Sequence, residues 1–162
     1  NINTQVLKKD FNEYSYNNFD AIFCYGVIFL TPWKKTLDNL CSLLKPGGKI
    51  YINYNSIGWY LFLWDTEHNK TEDYDPKQVA SNAFKDTLLY ERKNIFKDGM
   101  HLIMEPNKVE AEFRKLKFKN IQSKGEGLLQ FNKKIKNQKP FFKTNYKTMP
   151  CVYETYAIKS LN

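Results

Sequence analysis

Residues able to do acid–base, nucleophilic or metal chemistry are few and scattered in this chain. There are only two histidines, His68 and His101. His68 lies in a polar acidic run and His101 in an apolar stretch, contexts that read as solvated and structural. Cys24, Cys41 and Cys151 are odd in number, widely spaced and set among apolar neighbours, with no CxxC. That argues against a disulfide framework or a zinc site and fits a reducing, cytoplasmic setting. The run Asp65–Asp75 has the spacing of a calcium loop. However, Lys70 stands where such a loop needs glycine and Pro76 where it needs a bidentate glutamate. It reads as a solvated acidic loop, and no metal is expected. Two further stretches stand out. The aromatic run with Trp59, Tyr60, Phe62 and Trp64 reads as a lid or a buried helix. The basic segment 132–147, which carries Phe141, Phe142 and Tyr146, could hold an anionic or planar acceptor or single-stranded nucleic acid.

The bulk composition bounds the classes to which these residues can belong. The 162 residues are 42% hydrophobic and 16% aromatic, enough for one domain with a buried core. No apolar run approaches the ~20 residues of a membrane helix, so no membrane is expected. The net charge is +8 and unevenly spread. Residues 92–162 hold 16 basic and 6 acidic side chains, whereas 65–91 hold 3 and 7. A basic half can mark a nucleic-acid surface. Yet 23 of the 25 basic residues are lysine, and phosphate and base recognition favours the bidentate arginine fork. Nucleic acid is therefore the less favoured partner.

The elements that must position these residues begin weakly. Thr4–Leu7 is a weak strand candidate. Ile22–Leu30 is a nine-residue apolar run without alternation, as expected of a central strand covered on both faces. Thr31 offers an N-cap, with Pro32 at the first helical position. Trp33, Leu37, Leu40, Cys41 and Leu44 then form one helical stripe. Pro46-Gly47-Gly48 stops that helix, and KIYINYN resumes as a strand. Strand 21–28, helix 33–45 and strand 49–54 make a right-handed βαβ unit. Beyond it the pattern predicts a helix over 79–90, a short strand over 99–104 and a helix opened by Pro106. Strands are predicted at FKNIQSK and at CVYETYAI (151–158).

FDAIFCYGVIFL, a helix and LLKPGGKIYI together resemble the second half of a class I S-adenosylmethionine-dependent methyltransferase. Asp10, Phe19-Asp20 and Leu44-Lys45-Pro46-Gly47-Gly48 match that family's third-to-fifth-strand landmarks in order and spacing. Lys117-Phe118 stands where the family usually has Gly-Phe before its sixth strand. The resemblance implies an α/β fold with a Rossmann-like sheet, incomplete and present from the third strand onward, whose last strand is antiparallel. Residues 1–162 form a single partial domain, and 58–98 a substrate-lid insertion. The family's glycine-rich cofactor loop has no counterpart here, since none of the seven glycines forms a GxGxG. The 162 residues alone are expected to be inactive, with one strand edge left open to another chain.

The resemblance also implies a cofactor, S-adenosylmethionine, and roles for particular positions. Asp10 and Phe11 fall where the family holds the adenine end. Cys24, Tyr25 and Gly26 fall beside the reacting methyl, with Gly26 giving the ligand room and Cys24 serving as core. Trp59, Tyr60 and Phe141 fall where the acceptor binds. The expected activity is methyl transfer to a small-molecule oxygen or nitrogen. The alternatives are an RNA acceptor and a non-catalytic binding module. No catalytic residue is singled out, and the oligomeric state is left open.

Overall fold

The computed structural model describes residues 19–130 and 140–161. The Thr4–Leu7 strand candidate lies outside them. Within them a four-stranded sheet runs in the order β1-β2-β6-β3. Its strands are β1 (Phe19–Cys24), β2 (Leu44–Asn55), β3 (Phe118–Gly125) and β6 (Val152–Lys159). A two-stranded ribbon, β4 (Asn145–Tyr146) and β5 (Met149–Pro150), lies apart. β1 pairs parallel to β2, while β6 pairs antiparallel to both β2 and β3. β1, β2 and β3 therefore point one way, with a single reversed strand between the second and third.

The βαβ reading holds, with shifted bounds. Helix α1 (Trp33–Leu43) ends two residues earlier than expected. Pro32, not Thr31, occupies the N-cap position, and Thr31 instead donates its hydroxyl to the Ile28 carbonyl at 2.7 Å. The Pro-Gly-Gly stretch lies inside β2 as a bulge. Phe19 pairs with Leu44 and Ala21 with Lys49, so residues 45–48 bow out opposite Asp20. Gly47 sits at φ +78, and a Cβ on Gly48 would meet the Lys45 carbonyl oxygen at 2.8 Å. Only glycine fits such a bulge without strain.

The expected central strand 21–28 is shorter and less covered. β1 stops at Cys24, and Ile28–Leu30 is one turn of 3-10 helix. Among the described residues β1 pairs only with β2 and is the sheet's edge. Phe23 is 71% exposed, and a groove of about 600 Å³ runs along Phe19, Ile22, Cys24, Val27 and Leu43. Such an edge is a template for further pairing.

One face of the sheet carries the main core. Ile50, Ile52, Tyr54 and Ala157 pack there with Leu37, Leu40 and Cys41 from α1. Val109 and Phe113 join them from α4 (Pro106–Lys115). A side chain of this size contributes about 1.5–3 kcal/mol when fully buried.

The aperiodic run GWYLFLW forms helix α2 (Ile57–Thr66), capped by Ser56. It shows no stripe because both sides are in use. Tyr60 and Leu63 pack with Ala80 and Ala83 of α3 (Pro76–Lys93) and with Ile103. Trp59 and Phe62 face His68, Phe142 and Tyr146. In the acidic run Asp75 caps α3 through Lys77 N and Gln78 N, and Glu67 pairs with Lys70 and Lys77. The strand expected over 99–104 does not join a sheet. Met100, Leu102, Ile103 and Met104 are buried, while Leu102 N and Met104 N donate to Phe29 O and Asn55 O. Among the described residues no helix is long and apolar enough to cross a membrane.

Candidate functional site

In open α/β sheets ligands gather outside the carboxyl ends of the parallel strands. Here that end brings together Tyr25-Gly26 after β1, Asn53–Ser56 closing β2, Gly125-Glu126 closing β3 and the start of β6. Gly26 turns the chain at φ +73, and a Cβ there would meet nothing within 4 Å. Its N–H donates to Asn53 Oδ1 at 2.5 Å. The Asn53 amide in turn donates to Glu126 Oε1 at 3.2 Å, and the Tyr25 hydroxyl donates to the same oxygen at 2.5 Å. Alongside, Tyr51 donates to Glu154 Oε2 at 2.8 Å, and Leu129 N donates to Oε1 at 2.6 Å. Asn53, Glu126 and Glu154 are 1%, 4% and 4% exposed, respectively.

Among the described residues these buried polar groups have no ion-pair partner: no lysine or arginine bridges Glu126 or Glu154. Neutral donors among the described residues satisfy the side-chain oxygens, as buried polar groups require. The phenols respond. Burial and then Glu126 push Tyr25 well above the usual tyrosine range. Burial and then Glu154 do the same to Tyr51. Both phenols stay protonated donors at neutral pH. A run of rings borders the network. Phe23 stacks on Tyr51 at 4.9 Å and on Tyr25 at 5.6 Å, Tyr25 on Phe142 at 6.1 Å, and Trp59 meets Phe142 edge-on at 5.9 Å.

The structure gathers only some of the expected site residues. Tyr25 and Gly26 lie at the centre of the network. Cys24 lies just behind them, half-buried, its thiol pushed up to about 11 by burial, which keeps it unreactive. Trp59 and Phe142 share the rim, and Phe141 beside them is 80% exposed. Tyr60 lies elsewhere. It is fully buried inside the α2–α3 packing, and its hydroxyl has no hydrogen-bond partner among the described residues. Asp10 and Phe11 lie outside the described residues. His101 is half-buried against Phe29 and Tyr60, and His68 packs on Trp59 and Phe62.

Sequence reasoning missed Asn53, Glu126 and Glu154. The available signal was local. Asn53 and Asn55 interrupt an otherwise apolar or aromatic strand at its carboxyl end, where a buried amide must find partners. Glu154 reads as the solvent side of an alternating strand, and Glu126 as part of a Lys-Gly-Glu-Gly turn.

No protein-family model matches the sequence, and no curated protein matches it. Solved structures do match in fold. A SAM-dependent methyltransferase from Archaeoglobus fulgidus superposes with TM-score 0.53 at 12% identity, over 94% of this chain and 66% of its own. The CurJ carbon methyltransferase gives 0.51 at 13% identity, over 91% and 31%. A SAM-dependent methyltransferase from Methanosarcina mazei gives 0.50 at 13% identity, over 93% and 63%. The chain thus spans between 31% and 66% of these three proteins' lengths. With the sheet order β1-β2-β6-β3 and its one reversed strand, these matches show that the chain has a class I S-adenosylmethionine-dependent methyltransferase-like fold.

Proposed function

We propose that this protein is an S-adenosylmethionine-dependent methyltransferase acting on a small-molecule oxygen or nitrogen. The observation that carries the reading is the Gly26 turn. It sits at the carboxyl end of β1, open on the side where a Cβ would point and held by Asn53. Those residues fit one flank of the cofactor, whose sulfonium supplies an activated methyl group. Methyl transfer asks the protein mainly for alignment and exclusion of water. Gly26 leaves room, and Asn53 and Tyr25 fix the turn. Trp59 and Phe142 wall the neighbouring rim, with Phe141 available to an acceptor. Residues 58–98, which hold α3 and all of α2 after Ile57, are the proposed lid over that rim. A second reading takes RNA as acceptor. It is favoured by exposed Phe141 beside Lys143, whose Nζ lies 5.4 Å from the Phe62 ring centre.

Ultraviolet cross-linking of methyl-labelled S-adenosylmethionine, followed by peptide mapping, tests the cofactor assignment. Label on the peptide containing Tyr25 and Gly26, competed away by S-adenosylhomocysteine, is the expected result. Label confined to other peptides would overturn the assignment.

A further inference from the structure

We propose that Glu126 is the positioning residue that ties the two rims of this site together: the Gly26 turn on one side and the segment at Phe142 on the other. The reading of these rims as cofactor side and acceptor side rests on the function proposed above. Glu126 directly follows β3, and its own N–H donates to Val152 O at 3.0 Å, anchoring it to the start of β6. Among the described residues its carboxylate accepts from three donors on three separate parts of the chain. Tyr25 and Asn53 share Oε1, and Phe142 N donates to Oε2 at 3.1 Å. Asn53 passes the anchor on by accepting from Gly26 N through Oδ1.

The residue type follows from this geometry. Every described partner of the side chain donates, and a carboxylate is the side-chain group that accepts on both oxygens. A glutamine of the same shape has one accepting oxygen and one donating nitrogen. Turned one way, it keeps Tyr25 and Asn53 but faces the Phe142 N–H with its own N–H. Turned the other way, it keeps Phe142 but forces the Asn53 amide to flip. The Asn53 nitrogen then faces Gly26 N–H, and the Gly26 turn loses its acceptor. Glutamine can thus hold either rim, not both. A buried donor without an acceptor is costly, so the abandoned rim loosens.

Residue-resolved amide hydrogen exchange in the ligand-free protein tests this. E126A is expected to speed exchange at both Gly26 and Phe142 by roughly tenfold or more. E126Q speeds one of them, and N53A speeds Gly26 alone. In all three the β2–β6 ladder amides keep their protection. In the near-isosteric E126Q, which keeps Tyr25 buried but takes away the Glu126 carboxylate, the Tyr25 phenol titrates at lower pH. If E126A does not fold, E126Q and N53A decide the question. Unchanged exchange at both Gly26 and Phe142 in E126Q, or a change at Phe142 in N53A equal to that at Gly26, would overturn the proposal. Adding S-adenosylhomocysteine separates the two ideas. Slower exchange at Gly26 and Phe142 in the native protein, with only one of them slowed in E126Q, supports both. Should it alter no amide in the native protein, the assignment of the Gly26 rim to the cofactor falls, while the ligand-free comparison still decides on Glu126.

Discussion

The two faces of the sheet solve the problem of burial in opposite ways. On one, Ile50, Ile52, Tyr54 and Ala157 meet the apolar sides of α1 and α4. On the other, Tyr51, Asn53 and Glu154 alternate with them along the same strands, with Asn53 directly opposite Glu154. Strand periodicity assigns each set to its face. Both faces bury residues, but the second must satisfy a hydrogen-bond donor or acceptor for nearly every group it covers. Loops do this from far away in the sequence: Glu126 reaches Asn53, and Leu129 reaches Glu154. The first face gives the molecule its stability. The second gives it a polar end where the chain turns at Gly26 and ligands of this fold class gather.

The contrast can be broken most forcefully on the apolar face. Phe113 is fully buried and packs edge-on to Phe118 at 5.2 Å. F113A is expected to cost about 3–5 kcal/mol in urea unfolding, with the Gly26 environment unchanged in whatever fraction stays folded. On the polar face, E154L removes the acceptor for Tyr51 and for Leu129 N. Stranding such donors costs about 1–3 kcal/mol each. E154Q should cost less than E154L in the same assay. If E154L proves neutral, the polar face is not held by its hydrogen bonds.

Gly26 sharpens the comparison further. G26A meets no atom, so its penalty comes from the left-handed backbone alone, about 1–2 kcal/mol. Its effect on ligand contact should exceed that modest loss of stability. The smallest effect concerns His101. Burial lowers its pKa below 6.5, with Asp86 opposing. The unfolded chain therefore binds the proton more readily. The contribution is fully present above about pH 6.5 and is lost as pH falls through the folded-state pKa. Urea midpoints measured across about pH 5–8 should drop on the acid side, and H101Q should flatten that limb.

Much of the fold was legible because it is written in local period. The stripe from Trp33 to Leu44 gave α1, and the alternation in KIYINYN and VYETYAI gave the two strands that pair at the sheet's centre. The Pro-Gly-Gly landmark located the helix-to-strand connection. It could not reveal that residues 45–48 bulge inside the strand, because that depends on pairing with Phe19 and Ala21. Helix α2 escaped the periodic test because it is apolar on both sides. Of the candidate site, Tyr25, Gly26 and Trp59 were named through the family resemblance and not through any local pattern. The roles of Asn53, Glu126 and Glu154 come from contacts between residues far apart in the chain. Nothing in a Lys-Gly-Glu-Gly turn announces that its glutamate will be buried under Tyr25.

The central claim is that the carboxyl end of β1 and β2 receives the methyl donor. An amide-resolved titration of the 162-residue chain with S-adenosylhomocysteine tests it most directly. The account predicts shifts confined to residues 24–27, 53–56 and the Phe142 rim, with weak affinity because the sequence carries no glycine-rich loop. No perturbation there at high ligand concentration, or shifts centred on the opposite end around Gly47 and Lys119, would contradict it.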